Sequence, residues 1–215
     1  MNYKKSILAV LVLSMSGIVG MGQNKIGPSS GRYAELIVGV DQTSGVITGY
    51  YENGTGWDDQ TKSSRFTCSF YLYGTKQGDS FKIITWWPGD DLADSVINGR
   101  LDFKADGSID VLLESEHGGC WNVQHFADKD SPANLILDKP GSWTSVRVVK
   151  VRRAYFYDKP SQQTRRRSYL TKNDAIRVFS NKPGWVEAEY GVDKISKGWL
   201  KESDLYDFMP PVKRK

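Results

Sequence analysis

The sequence predicts an all-β protein of two units, an N-terminal antiparallel β-barrel or sandwich of about eight strands followed by a small second barrel. Three observations carry this expectation. Between residues 65 and 73, Phe66, Cys68, Phe70 and Leu72 alternate with Thr67, Ser69, Tyr71 and Tyr73, the period of two that a pleated strand imposes on its faces. Runs of this kind are separated by turn residues, Asp41-Gln42-Thr43-Ser44-Gly45, Pro88-Gly89 and Lys104-Ala105-Asp106-Gly107, with no credible helical period between them. Charge then divides the chain. Residues 23–145 hold 10 Lys+Arg against 17 Asp+Glu, and residues 146–215 hold 17 against 8, so a net charge of +4 conceals an acidic half and a basic half.

Taken in order, residues 1–22 read as a secretory signal peptide. Met1-Asn2-Tyr3-Lys4-Lys5 is basic, Ile7 to Leu13 is apolar, and the small residues Gly20 and Gly22 precede Gln23. That core is too short and too interrupted by Ser and Gly to span a membrane, and no other apolar run approaches membrane length. An exported protein that is not integral to a membrane is expected. Residues 23–145 then form the acidic unit. Tyr33–Val40 and Val46–Tyr51 make a hairpin, Glu52–Ser64 is a long polar loop, and Arg65–Tyr73 and Ser80–Trp87 are the next strands. Val96–Phe103 and Ser108–Glu114 pair through Asp106-Gly107, a strong two-residue turn signal. Cys120–Phe126 and Leu135–Leu137 are the closing strands. Gly49-Tyr50-Tyr51 and this meander resemble calycin-like barrels such as the avidins, at the level of pattern alone, and no ligand residues follow from it.

The β-branched run Val146–Val151 is either the last strand of the first unit or the entry to the second, residues 146–207. That unit opens with Ala154-Tyr155-Phe156-Tyr157-Asp158-Lys159-Pro160, an aromatic strand halted by proline. It continues through Ala175-Ile176-Arg177-Val178-Phe179 and Gly184-Trp185-Val186-Glu187-Ala188-Glu189-Tyr190, and closes with Lys197-Gly198-Trp199-Leu200 before a short helical turn. This order of runs resembles a bacterial SH3-like (SH3b) domain over about the last quarter of the chain. The resemblance implies a small barrel and an envelope binding role without naming a ligand. Alternation places Phe156 in the core with Val178, Val186 and Leu200, and Tyr155 and Tyr157 on the opposite face. With Trp185 and Trp199 the two tyrosines are candidates for the shallow aromatic groove that SH3 folds offer to extended peptides; barrel packing is the competing role, above all for Trp199. Arg165, Arg166 and Arg167 are expected in the first long loop beside that groove, either holding a carboxylate or phosphate or simply solvated. The unit lacks the acidic first loop of peptide-binding eukaryotic SH3 domains, so recognition of proline motifs is not implied. Residues 208–215 read as a frayed basic tail.

Chemistry-bearing residues are sparse. Cys68 and Cys120 are the two cysteines, and in an exported chain an even pair reads first as a disulfide, closing a loop worth about 4 kcal/mol. A free thiol is the alternative. As a nucleophile, Cys120 would need His117 or His125 as base, with Glu116 or Asn122 orienting it. Against this, the segment reads as a strand after a Gly-Gly turn, and wall-cleaving Cys/His peptidases that accompany SH3b domains place their histidine far downstream, where this chain has none. The spacing of His117, Cys120 and His125 matches no common zinc pattern. Asp102, Asp106 and Asp110 lack the alternating ligands and closing Glu of a calcium loop, and Asp90-Asp91-Leu92-Ala93-Asp94 reads as a solvated loop. No metal and no cofactor is expected. Export argues against a nucleic-acid partner.

These readings converge on an exported, non-catalytic envelope protein that recognises a cell-wall fragment, a peptide or an envelope protein. An inhibitor or immunity protein against a wall-degrading enzyme is one version of it. The rivals are a Cys120-dependent hydrolase and a small-ligand carrier with a deep apolar cavity inside the first barrel.

Overall fold

A computed structural model describes residues 27–87 and 96–206; the stretches read above as a signal peptide (1–22), an acidic loop (90–94) and a basic tail (208–215) lie outside the described residues. Within them the chain is all β, with short 3-10 turns and no α-helix. The first sheet holds nine strands: β1 (Gly31–Tyr33), β2 (Leu36–Asp41), β3 (Val46–Asp58), β4 (Ser63–Gln77), β5 (Ser80–Trp86), β6 (Ile97–Phe103), β7 (Ile109–Leu113), β8 (Ala133–Leu135) and β9 (Leu137–Pro140). All neighbours are antiparallel, in the order β8-β7-β6-β5-β4-β3-β2-β1-β9. The two edge strands are joined through Ile136 alone, whose carbonyl accepts the Ala34 amide at 2.9 Å. The sheet therefore curls into a nearly closed barrel and leaves little free edge.

The turn chemistry explains the hairpins. Asp41 Oδ1 accepts the Thr43 amide at 2.9 Å before Gly45, and Asp106 Oδ1 accepts the Ser108 amide at 2.9 Å across Gly107, each an Asx-type local closure. Cys68, Phe70 and Leu72 point inward as alternation requires, while Phe66 is only half-buried near the rim. Side chains fill the barrel: Tyr51 stacks on Phe70 at 5.2 Å, and Phe126 meets both edge-on at 4.9 and 5.1 Å. Burying each ring is worth about 1.5–3 kcal/mol.

Four expected elements differ, the first being Leu135–Leu137, which ends β8 and begins β9 on either side of Ile136. Tyr33–Val40 is two strands, broken at Ala34, which takes a left-handed conformation (φ 48°). Most of Glu52–Ser64 is strand, with Thr55 paired to Phe66 and Trp57 to Ser64. That hairpin extends past the barrel rim, where both faces meet water, so a polar composition is compatible with a ladder. Cys120–Asn122 is a 3-10 turn, its Cys120 carbonyl accepting the Val123 and Gln124 amides at 2.8 and 2.9 Å.

The second sheet holds β10 (Ser145–Val148), β11 (Ala154–Tyr157), β12 (Arg165–Leu170), β13 (Ala175–Lys182), β14 (Trp185–Tyr190) and β15 (Ser196–Lys201), in the order β10-β13-β14-β15-β11-β12. The run from Val146 thus belongs to this sheet, through its pairing with β13. Phe156, Val178, Val186 and Leu200 are buried in one cluster, as the alternation predicts. A third cluster joins the units: Tyr50, Tyr71 and Trp86 on the outer face of the barrel pack against Trp143, Val146 and Val148. Polar clips fix this junction, since Trp143 Nε1 donates to the Val38 carbonyl (2.7 Å), Tyr71 Oη to the Val146 carbonyl (2.8 Å) and the Val146 amide to Thr48 Oγ1 (2.8 Å).

Candidate functional site

Alternation along β11, β14 and β15 builds an outward face on the second unit. Tyr157 lies opposite Trp199, and Trp185 opposite Lys201, so these four side chains share the side facing away from Phe156, Val186 and Leu200. The Tyr157 and Trp185 rings meet edge to face at 4.8 Å. Three lysines lie over rings here: Lys182 Nζ at 5.0 Å from Trp199, Lys201 Nζ at 5.9 Å from Tyr157, and Lys197 Nζ at 4.4 Å from Phe179. Such contacts are worth about 0.5–1 kcal/mol each at exposed sites, enough to hold each ammonium close to its ring. Trp185 and Trp199 are half-buried, but Tyr157 is only 4 % exposed. Tyr157 is therefore a prop under Trp185 and not itself a contact surface.

The remaining predicted residues do not join this face. A register break between Tyr155 and Tyr157 turns Tyr155 away toward Tyr169, at 5.6 Å. There the Arg165 guanidinium covers Tyr155 and that of Arg153 covers Tyr169, both at 4.8 Å. The three consecutive arginines begin strand β12 and are not in a loop. A strand sends neighbours to opposite sides, so they form no single anion cradle. Arg166 is tied to Asp158 Oδ1 (2.7 Å) and the Lys197 carbonyl (2.6 Å), and Arg167 is exposed.

A cleft of about 230 Å³ between the units escaped the sequence reading altogether. It is lined by Tyr50 and Glu52 of β3, by Asn173 and Asp174 before β13, and by Tyr190. Tyr190 Oη donates to Asp174 Oδ1 at 3.0 Å. Burial, with Asp174 and Glu52 nearby, pushes the Tyr190 hydroxyl up to about 12; burial and Glu52 push Tyr50 higher still. Both hydroxyls therefore stay protonated donors. The cleft joins residues more than 120 positions apart, and no local pattern signals it. The chain matches no family model, no curated protein and no solved structure.

The segment around Cys120 holds no thiolate. Cys120 is bonded to Cys68, both buried, so the hydrolase reading lacks its nucleophile in this structure. The histidines serve other ends. His125 lies 3.7 Å from Glu116 Oε1 and edge-on to Trp121 at 4.3 Å. His117 stacks on Phe70 at 5.2 Å, with Nε2 2.8 Å from Thr85 Oγ1. Because that hydroxyl donates to the Ile97 carbonyl (3.2 Å), the imidazole contributes an Nε2–H donor. Burial lowers the His117 pKa below its ordinary value of 6.5, against an opposing pull from Glu116. The unfolded chain thus takes up a proton near pH 6.5 that the folded site resists. Stability is unaffected by this group above that pH and falls as pH drops through the window below it. Urea unfolding at about pH 7.5 and about pH 5 should show that loss in the wild type and a smaller one in His117→Gln, which keeps a donor for Thr85. Equal slopes in both proteins would show that His117 plays no such part.

Proposed function

We propose that this chain is an exported, non-catalytic binding protein of the bacterial cell envelope, whose second, SH3-like unit holds an anionic cell-wall fragment. The reading rests on one observation: Trp185 and Trp199 lie half-open on a sheet face where Lys182, Lys197 and Lys201 sit over aromatic rings. Flat rings stack against apolar faces of a polymer at low entropic cost, while ammonium groups at the rim attract its carboxylates or phosphates. The basic balance of the second half gives the same sign of charge to the whole unit. A disulfide is compatible with an oxidising compartment, and among the described residues no helix is long and apolar enough to cross a membrane.

Sedimentation of the full exported chain with purified wall material tests the reading. Binding should weaken with rising salt. Lys182→Gln and Lys201→Gln should each weaken it by about 1 kcal/mol, roughly fivefold, and Trp185→Ala should abolish most of it. Retention that is indifferent to salt and to all three changes would overturn the proposal.

A further inference from the structure

The barrel carries a second exposed aromatic platform, at the segment where the cysteine and histidines cluster. Trp121 is 67 % exposed, although it sits on a tightly fixed turn. Its neighbour Cys120 is bonded to Cys68 of β4. Gly119 takes a left-handed conformation (φ 85°), and a Cβ there would stand 2.2 Å from the Thr67 carbonyl oxygen. Thr55 Oγ1 donates to the Asn122 carbonyl at 2.9 Å. Glu116 Oε1 accepts the Phe126 and Ala127 amides, both at 2.9 Å. Every part of the turn is anchored, and the anchoring leaves a large indole in water beside a pocket of about 350 Å³ formed with Glu116, His125, Ala127 and Asp128.

The polar edge of that pocket is formed by Asp128 and His125. Asp128 uses Oδ1 for the Asp130 and Ser131 amides (3.0 and 3.3 Å), and the residue is exposed. Glu116 is not free to accept from a ligand, since Oε1 takes the two amides and Oε2 is buried. His125 stands edge-on to the indole at 4.3 Å and is also exposed. A flat apolar platform rimmed by an exposed carboxylate and an imidazole suits a ligand with an apolar C–H face and a periphery of hydroxyl donors. It suits a protein side chain less, because hydroxyl donors are then few and the Asp128 carboxylate loses water without replacement. We infer that the pocket beside Trp121 is a carbohydrate subsite: a pyranose ring stacks on the indole and donates hydroxyls to the exposed carboxylate of Asp128. The inference does not depend on the lysine face of the second unit, so the two sites can fail separately.

Saturation-transfer NMR on the full exported chain, with tetrasaccharides of β-1,4-linked glucose, β-1,4-linked N-acetylglucosamine, mannose and galactose, provides the test. Transfer to ring C–H protons of at least one sugar is expected. Trp121→Ala should weaken that sugar by about tenfold or more, Trp121→Phe should restore part of the loss, and Asp128→Asn should weaken it less. Trp185→Ala removes the stacking ring of the second unit, so the Trp121 comparison is repeated in that background, where the dependence on Trp121 should persist. Thermal unfolding of each variant separates lost binding from lost fold, and an indole this exposed should be removable without unfolding. No transfer to any of the four sugars, transfer that survives Trp121→Ala in the Trp185→Ala background, or loss in Trp121→Ala of a captured envelope protein with no sugar bound would overturn the inference.

Discussion

Replacing both cysteines by alanine should lower the unfolding free energy by about 4 kcal/mol, the value that chain entropy assigns to a closed loop of this size. Cys68 and Cys120 stand 52 positions apart, and both are fully buried beside Phe70 in the barrel core. Alanine is the informative replacement because serine would leave two buried hydroxyls to satisfy. Part of the loss should be local. The disulfide pins the turn that carries Trp121, and Phe126, a few residues on, packs against Tyr51 and Phe70. Urea unfolding with and without reductant measures the effect: reduced wild type and the double alanine variant should share a lowered midpoint. A double variant within about 1 kcal/mol of the oxidised protein would mean that the hairpin ladder, not the crosslink, sets the stability of this end.

The barrel was legible wherever one face of a strand is buried and the other wet. Cys68, Phe70 and Leu72 show this in β4, and Phe156 with Leu200 shows it in the second unit. The pattern misleads where the second face is covered as well. Tyr71 reads as solvent-facing beside Ser69, yet it is fully buried, because β10 of the second unit lies over that side of the barrel. Burial of its hydroxyl raises its pKa strongly, and its hydrogen bond to the Val146 carbonyl gives it a polar partner there. The aromatic site was half legible for a related reason. Period two holds only while the register holds, and one break in β11 sends Tyr155 and Tyr157 to different neighbours. The disulfide could be read from the even cysteine count and the expectation of export, but the exposure of Trp121 could not: it follows from Gly119 and the crosslink forcing a turn where composition suggests a strand.

Gly39→Ala should test whether the two units behave as one body. Gly39 faces the second unit from β2, and a Cβ there would stand 2.5 Å from Ser145 Cα and 2.7 Å from its carbonyl carbon. Those are backbone atoms, so no side chain can swing aside to make room. Nor can β10 retreat freely, because the clips at Val38, Thr48 and Tyr71 hold it within one or two residues of the clash. The added methyl must therefore stretch those hydrogen bonds or bend β2 into the filled barrel, an overpacking cost of about 1–3 kcal/mol. Gly118→Ala is the matched control, since nothing lies within 4 Å of its Cβ position, and it should stay within about 0.5 kcal/mol of the wild type. If the junction couples the units, the wild type should unfold in a single transition and Gly39→Ala in an earlier or divided one, with the second unit released first. Calorimetry reads both outcomes. A variant that matches the wild type in midpoint and shape would mean that the units tolerate separation, and that the cleft between Tyr50 and Tyr190 is a consequence of loose contact and not a fixed feature of the fold.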